Sequence, residues 1–390
     1  MTALKRIGSI DILRGLVMII MALDHTRDFF HITAMTADPL DPATTTTGLF
    51  FTRWITHFCA PIFVFLSGLS AYLSAQSKTP AQASSFLLKR GVWLILVEII
   101  IVTLGLTFNP FYNFVILQVI WAIGWSMILL SLLSCISYKL VLFTGLVLVF
   151  GHDLISYLDV PQSGAAAIWI KVLFTAFGTV LPLDPTHMVG VFYAILPWTG
   201  IMFIGYAAGA WYKKGFPEVT RKKYLLVWGM GLIVLFVVLR LNNGYGDPSL
   251  RKEYPELLQN IFSFLNTSKY PPSLLYFCMT IGPALVLLSV LEETKNRLTT
   301  AISNYGSVPF FYYIIHFYLL HLVLVAAFFL TGHKTAEIIQ MPFLFRPVAF
   351  GFSLPVVYLI WLAVVAALYR PCVWFKRYKA THEQWWLKYL

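Results

Sequence analysis

A cluster of ionisable residues lies inside the first long apolar segment of the chain. Its members are Asp11, Arg14, Asp24, His25, Arg27 and Asp28. Each such group disfavours insertion of a helix by about 2.5–3.5 kcal/mol when it lies at the centre of a bilayer. Such groups persist where they face a protein interior or a wet cavity. The first helix is therefore predicted to line a site, which indicates an enzyme or a transporter.

The spacing of Arg14 and His25 suits a long ligand. They are eleven positions apart, which at 1.5 Å per residue is about 16 Å along a helix axis. At 100° per residue, His25 returns close to the face of Arg14. A cation at one depth and a titratable base at another would suit an anionic donor that reaches in from the Arg14 side. The alternative is that Arg14 snorkels to the inner headgroups and His25 meets only the outer ones.

His25 has two carboxylates beside it in the sequence, Asp24 and Asp28. A carboxylate that accepts the Nδ1–H of an imidazole fixes its tautomer and raises its basicity, as a general base requires. Asp24 and Asp28 share a helix face because they are four residues apart. One of them is expected to orient His25. A structural ion pair of Asp28 with Arg27 or Arg53 is the alternative.

Other histidines recur at comparable depth in later helices. Arg53 and His57 are four residues apart on the second predicted helix, and His316 and His321 lie on the ninth. Histidines from three helices favour a shared pocket, although His316 or His321 alone would be read as a core histidine bonded to a carbonyl. Arg27, Arg53 and His57 are candidates to stabilise an oxyanion.

The sequence contains no known motif for metal binding, nucleotide binding or hydrolase activity. A divalent metal on His25, His57 and Asp24 is conceivable, but no pair has a known zinc spacing, so no metal is predicted. GxSxG, Walker A and GxGxxG patterns in a fitting context are absent. The four cysteines are far apart and are predicted to be small buried hydrophobes. Polar residues such as Glu98 and Gln118 are expected to satisfy neighbouring backbone groups.

Composition defines the class of protein. Of 390 residues 59% are hydrophobic and only 12% charged, and the mean hydropathy is +0.76. Soluble domains are usually near 25% charged, so the chain is predicted to be a polytopic membrane protein that forms one domain over residues 1–390. The net charge of +11 is spread over short loops. It therefore carries topological information and does not indicate a nucleic-acid partner.

Ten membrane helices are predicted from apolar stretches of about 20 residues, which gives an all-α helix bundle. They cover 9–31, 48–75, 84–107, 111–135, 138–158, 187–212, 222–241, 272–291, 306–331 and 351–374. The apolar stretch 163–181 is interpreted as a re-entrant or interfacial segment. With ten spans, 18 Lys and Arg residues lie on the side of the termini and nine on the other. The positive-inside rule then predicts that both termini are cytoplasmic.

Several segments resemble a known family, the bacterial branch of the heparan-alpha-glucosaminide N-acetyltransferase catalytic-domain family. The resemblance rests on Arg6–Gly15, Asp24–Asp28, Phe58–Gly68, Leu196–Gly200, Tyr270–Leu275 and Phe310–His316. Arg14 and His25 also resemble the Arg–His signature of membrane acyltransferases that O-acetylate surface polysaccharides. One departure is that the histidine assigned to catalysis in the eukaryotic heparan enzymes has no match in context. The only histidine in that segment is His31, and heparan as the acceptor is not supported.

The resemblance implies an integral-membrane transferase of the bacterial inner membrane that uses acetyl-CoA as its acyl donor. The acetyl group would pass through the bundle to an amino or hydroxyl group of a glycan or similar acceptor at the outer face. The expected partners are this donor, the acceptor and membrane lipids, and a homo-oligomer is compatible with them.

The predicted catalytic residues are His25, Asp24, Asp28 and His57. The predicted donor-binding residues are Arg14, Arg27, Arg53 and His316, with Lys89 and Arg90 as neighbours of Arg14. The alternative function is a transporter or flippase for an anionic lipid or sugar, for which buried charges and kinked helices are also suited.

Overall fold

The chain is mostly helical, as predicted, with 69% of the described residues in helices. The computed structural model describes residues 7–176, 179–339 and 341–389. The α-helices are α1 Gly8–Phe30, α2 Thr47–Thr56, α3 Cys59–Ala75, α4 Pro80–Val97, α5 Thr103–Thr107, α6 Val119–Ser134, α7 Tyr138–Gly151, α8 Gly164–Ile170, α9 Ile195–Ala208, α10 Glu218–Asn242, α11 Leu257–Leu265, α12 Leu274–Leu291, α13 Arg297–Gly306, α14 Pro309–Leu330 and α15 Leu354–Thr381. Short π-helical turns cover Glu98–Val102 and Lys171–Thr175, and 3-10 turns cover His152–Tyr157, Gly209–Tyr212, Thr335–Glu337 and Trp385–Lys388.

Six helical segments of the described chain are long and apolar enough to cross a membrane. They are Thr47–Ala75, Tyr138–Tyr157, Glu218–Asn242, Leu274–Leu291, Pro309–Leu330 and Leu354–Thr381. The chain is therefore an integral membrane protein by composition, whereas the count of ten spans and the side of the termini stay predictions. Helix α1 carries the ionisable cluster, and this sets it apart from the six apolar segments.

Local sequence explains where the main helices begin. The Thr79 side chain accepts the backbone N–H of Gln82, whose side chain returns to the Thr79 N–H, and Pro80 occupies the first turn of α4. This capping box starts the helix four residues before the predicted position. Ser273 caps α12 in a similar way, and a proline opens α14.

Helix α1 lies at the centre of the bundle and packs against α2, α3, α12, α13, α14 and α15. Its approach to α13 requires glycine, because a Cβ atom on Gly15 would lie 2.0 Å from the Ile302 carbonyl oxygen. A Cβ on Gly306 would lie 1.9 Å from the Asp11 carbonyl oxygen. Small residues let helix backbones approach in this way. The contact holds the first turns of α1, and with them Arg14, against α13.

A small sheet replaces two pieces of predicted helix. Strands β1 Phe114–Leu117, β2 Thr179–Pro182 and β3 Met188–Val191 form a sheet in the order β1-β3-β2. Strand β3 pairs parallel to β1 and antiparallel to β2. The predictions of helix over 111–118 and 187–194 are therefore wrong, and helices α6 and α9 begin only after the strands. Phe108 and Tyr112 have φ of 58° and 55°, a conformation that ends a helix.

The segment predicted as re-entrant or interfacial, 163–181, contains helix α8 and the π-helical turn that follows it. The π-helical turn ends at Thr175, and the next residue, Ala176, adopts a left-handed conformation. Together the two form one of the shorter apolar helices, Gly164–Thr175. At 1.5 Å per residue it spans about 18 Å, which is less than the hydrocarbon thickness of about 30 Å.

One polar network joins three helices at the end of the bundle that carries Arg14. Ser9 of α1 donates to Glu292 Oε1 at 2.7 Å, just after α12. Arg221 of α10 forms an ion pair with the other oxygen of the same carboxylate. Because all three groups are at least half-buried, this network fixes the register of α1 against α10 and α12 at what we term the Arg14 end.

Candidate active site

A pair of histidines from α1 and α14 forms the centre of the candidate site. Nδ1 of His25 lies 2.7 Å from Nε2 of His316. The other ring nitrogen of His316, Nδ1, lies 2.5 Å from the Tyr313 carbonyl oxygen. A carbonyl only accepts, so His316 Nδ1 carries a proton, and its Nε2 accepts one from His25 Nδ1. In the neutral pair, Nε2 of His25 is then left as an unprotonated acceptor.

The packing around this pair holds the two rings in place. His316 is fully buried, with 0% exposure, whereas His25 is only partly buried. The rings of His25 and Phe317 stack with their centroids 4.4 Å apart. Tyr313 meets His25 edge-on at a centroid distance of 6.5 Å. Aromatic rings therefore pack against His25 and hold its ring in place, while part of the residue stays exposed.

The aspartates beside His25 are bound to arginines. Arg53 Nη1 donates to both oxygens of Asp24, at 2.5 and 2.6 Å. Arg27 donates to Asp28 at 2.6 Å and approaches Asp24 at 3.4 Å. The prediction that Asp24 or Asp28 orients His25 is wrong, because His316 occupies the Nδ1 side of that ring. The predicted pairing of Asp28 with Arg27 is confirmed.

The four residues predicted to bind the donor do not lie together. Arg27 and Arg53 are tied to carboxylates near the C-terminal end of α1, and His316 is hydrogen-bonded to His25. Arg14 lies at the opposite end of α1, where it donates to Asp11, to the Gly306 carbonyl and to Ser70. A single phosphate-binding set made of all four is therefore excluded by geometry.

His57 lies at the break between α2 and α3, near Arg53. It is 1% exposed, and neither ring nitrogen has a hydrogen-bond partner among the described residues. Its backbone carbonyl accepts the Tyr276 hydroxyl at 2.8 Å. Buried polar groups are nearly always satisfied. A buried imidazole without a partner is therefore a site where a ligand group can bind.

His57 lines a cavity of about 640 Å³, which we term the His57 cavity. Its charged and aromatic lining consists of Arg27, Asp28, Asp38, Arg53, Lys269 and Tyr270. The ammonium group of Lys269 lies over the Tyr270 ring, 5.2 Å from its centroid. Both signs of charge and several hydroxyl and amide groups line this cavity, so it can bind a polar, hydroxyl-rich molecule.

A second cavity, of about 320 Å³, lies at the Arg14 end and is termed the Arg14 cavity. Arg14, Arg90 and Lys379 line it, together with Ser67, Ser70 and Ser74. Lys89, which sequence analysis paired with Arg90, is not part of this lining. Asp11 also lines this cavity and pairs with Arg14, so the lining holds three cations, one carboxylate and several hydroxyl groups. This net positive set fits phosphate groups.

A narrow apolar cavity of about 80 Å³ continues from the Arg14 cavity into the bundle, and we term it the constriction. The two share Ser67, Arg90, Met127, Pro309 and Phe310. Farther in, the constriction is lined by Met18 of α1 and Tyr313 of α14. Along α1 the order is thus Arg14, Met18, His25 and Asp28. His25 and His316 are not among the lining residues of either cavity, but along α1 His25 lies between Met18 of the constriction and Asp28 of the His57 cavity.

Three residues of these cavities were missed by sequence analysis as site residues: Tyr313, Lys269 and Lys379. Tyr313 could have been found, because it precedes His316 by about one helical turn. The other two belong to segments whose position depends on tertiary packing.

Two other polar residues serve structural roles. His321 donates from Nε2 to the Leu344 carbonyl at 2.8 Å, so its interpretation as a core histidine is confirmed. Glu98 accepts the Gln118 backbone N–H at 2.6 Å, as expected.

The amino-acid sequence matches a known protein family over more than half of its length. The sequence model of the family described as "Heparan-alpha-glucosaminide N-acetyltransferase, catalytic" matches residues 6–236, which is more than half of the chain. The matched range includes Arg14, His25, Arg53 and His57, whereas Tyr313 and His316 lie beyond it. No curated protein matches the chain.

Proposed function

The chain belongs to the heparan-alpha-glucosaminide N-acetyltransferase catalytic family, and from this premise we propose that it transfers an acetyl group across the bundle. The donor is acetyl-CoA, bound at the Arg14 end. The acceptor is an amino or hydroxyl group of a glycan or similar molecule in the His57 cavity. The family supports an acyltransferase of the membrane, and the donor and the direction of transfer are part of the proposal.

The observation that carries the proposal is the position of the His25–His316 pair between two cavities of different chemistry. From Met18 in the constriction to His25 is seven residues, or about 10 Å along α1. Arg27 and Asp28, which follow His25 directly, line the other cavity. A group activated at His25 can therefore be approached from both sides of the bundle.

The Arg14 end suits the donor. The guanidinium groups of Arg14 and Arg90 and the ammonium of Lys379 provide positive charge where the phosphates of acetyl-CoA would bind. The constriction is narrow and mostly apolar, which suits an extended chain and excludes water. When bound, acetyl-CoA supplies an acetyl group that is activated as a thioester.

His25 serves as the general base in this proposal. Its Nε2 takes the proton from the acceptor N–H or O–H while the acceptor atom forms a bond to the acetyl carbon. The carbon–sulfur bond then breaks, and the thiolate receives the proton from His25. His316 keeps His25 in the required tautomer, since its own Nδ1–H is held by the Tyr313 carbonyl.

The His57 cavity suits the acceptor. Neither ring nitrogen of His57 has a partner among the described residues, so both can contact an acceptor hydroxyl or amine. The Asp24–Arg53 pair lies beside His25 and forms a fixed charge arrangement, so we assign it a positioning role.

The test is single-turnover transfer with the full chain in nanodiscs and [¹⁴C]acetyl-CoA. Release of free CoA and transfer of label are followed with glucosamine, oligosaccharide and amino-alcohol acceptors. Wild-type protein should release CoA and label at least one acceptor, whereas His25→Ala should not. His187→Ala is the matched control because this histidine is partly exposed and pairs with Asp184 in a turn away from the three cavities. A wild type that binds acetyl-CoA but never releases CoA would contradict the proposal and favour the transporter alternative.

A further inference from the structure

The Tyr313 hydroxyl is a buried polar group without an assigned role. Tyr313 is 4% exposed, and its hydroxyl has no hydrogen-bond partner among the residues that the structure describes. Buried hydroxyl groups normally donate to a carbonyl or another acceptor. Because Tyr313 lines the constriction, an unpaired hydroxyl on this residue points to an acceptor supplied by a ligand.

Tyr313 lies between the constriction and the two histidines. Tyr313 lines the constriction at the level farthest from Arg14 on α14, and it lies about one turn before His316. Its ring is 5.6 Å from that of His316 and 6.5 Å from that of His25 between centroids. Most of the neighbouring lining, including Met18, Ile123 and Phe310, offers no hydrogen bond.

The backbone of Tyr313 is already hydrogen-bonded to the histidine pair. The Tyr313 carbonyl accepts the Nδ1–H of His316, which fixes the tautomer of the pair. The main chain of Tyr313 is therefore held in place relative to His25. A donor on this side chain would be positioned by the same helix turn that orients the base.

The earlier candidates for stabilising an oxyanion are less well placed. Arg27 and Arg53 are bound to Asp28 and Asp24. His57 lines the cavity on the far side of the histidine pair. None of the three lines the constriction, through which the thioester of the donor would reach His25.

We infer that Tyr313 is a catalytic residue that donates a hydrogen bond from its hydroxyl to the carbonyl oxygen of the donor thioester. This inference rests on the proposed function. The bond polarises the carbonyl in the bound donor and strengthens when negative charge develops on that oxygen in the tetrahedral intermediate. Tyr313 keeps its proton throughout, so the proton balance between acceptor, His25 and thiolate is unchanged.

The test uses two CoA thioethers that do not react. S-(2-oxopropyl)-CoA carries a carbonyl group next to the methylene on sulfur, and S-propyl-CoA lacks that carbonyl. Calorimetry on the full chain in nanodiscs should show that wild-type protein binds the carbonyl compound about three- to tenfold more tightly. Tyr313→Phe should abolish that preference and leave the affinity for S-propyl-CoA unchanged.

Tyr312→Phe is the matched control. Tyr312 neighbours Tyr313 on α14, is fully buried, and also has a hydroxyl without a partner among the described residues. Its ring packs edge-on against Tyr305, 5.5 Å between centroids, and stacks on His316 at 5.7 Å, and phenylalanine keeps both ring contacts. Tyr312 lines neither the constriction nor the Arg14 cavity. The control variant should keep the wild-type preference for the carbonyl compound.

A second measurement follows the reaction itself. In single turnovers with acetyl-CoA, Tyr313→Phe should be about 10²–10³-fold slower, and Tyr312→Phe should be close to wild type.

The outcomes separate the two levels of the proposal. Equal affinity of the wild type for both thioethers, or a preference that survives in Tyr313→Phe, would overturn the role of Tyr313 and leave the proposed function intact. A wild type that binds neither thioether would contradict acetyl-CoA as the donor, and with it this inference.

Discussion

His25 and His316 are 291 positions apart in the sequence, yet Nδ1 of the first lies 2.7 Å from Nε2 of the second. This contact joins two histidines from different helices into one unit with a defined tautomer. The Tyr313 carbonyl determines the proton position on His316, which determines it on His25. The basic nitrogen that results is Nε2 of His25.

The first prediction concerns this unit. His25→Ala should lower the single-turnover rate by about 10²–10⁴-fold, since general-base catalysis contributes that much. His316→Ala should also slow turnover, and His316→Gln should retain more activity because its amide oxygen can still accept the His25 Nδ1–H. Acetyl-CoA affinity is measured in parallel and should change little. Wild-type rates in His25→Ala would show that another residue is the base.

The second prediction concerns the Arg14 end. Arg14→Ala should weaken CoA binding at least about tenfold, because a charge-assisted contact contributes about 1.5–3 kcal/mol. Lys89→Ala is the control, since Lys89 does not line the Arg14 cavity. Calorimetry with CoA checks both variants. If Arg14→Ala is folded and binds CoA with wild-type affinity, the phosphates bind elsewhere.

The third prediction concerns the Asp24–Arg53 pair, whose side chains are only 11% and 14% exposed. Asp24→Asn should reduce stability by about 3–5 kcal/mol, because it leaves a buried guanidinium without its counter-charge. The double variant with Arg53→Met should recover part of that loss. Glu293→Gln removes an exposed partner of Lys222 and should cost less than about 1 kcal/mol. Thermal unfolding in nanodiscs measures all three, and equal effects of Asp24→Asn and Glu293→Gln would refute the assignment.

The fourth prediction concerns His57. His57→Ala should reduce turnover less than His25→Ala does, because His57 contacts the acceptor and does not take its proton in the proposed mechanism. Its main effect should be a higher KM for the acceptor with an unchanged affinity for CoA. Steady-state kinetics at varied acceptor concentration separate these quantities. Complete loss of turnover in His57→Ala, with activity retained in His25→Ala, would reverse the two roles.

The fifth prediction is topological. Ten spans with cytoplasmic termini require that reporter fusions after Lys78 and after Leu390 both report a cytoplasmic position. The physical reason is the excess of Lys and Arg on the side of the termini. A fusion in the loop near Asn243 is the control and should report the opposite side. A periplasmic signal after Leu390 would mean that the segment 163–181 crosses the membrane.

Properties that depend on local pattern follow from the amino-acid sequence alone. Hydropathy over about 20 residues identifies membrane helices because the bilayer has a fixed thickness. The rise and rotation of a helix relate Arg14 to His25 without knowledge of any other segment. Cationic and titratable groups on α1 were therefore predicted as a site before the fold was known. The Asp28–Arg27 pair was predicted for the same reason, since the two residues are adjacent in the chain.

Which groups meet across helices depends on the packing of the whole bundle. Asp24 lay beside His25 in the sequence, yet its carboxylate turns to Arg53 and leaves His25 to His316. A fully charged guanidinium close to Asp24 is a stronger partner for that carboxylate than a neutral imidazole is. Strand β1 was hidden for a similar reason, because its hydrogen bonds go to β3, more than 70 residues later. Such contacts depend on how all the helices pack, and no local periodicity encodes that packing.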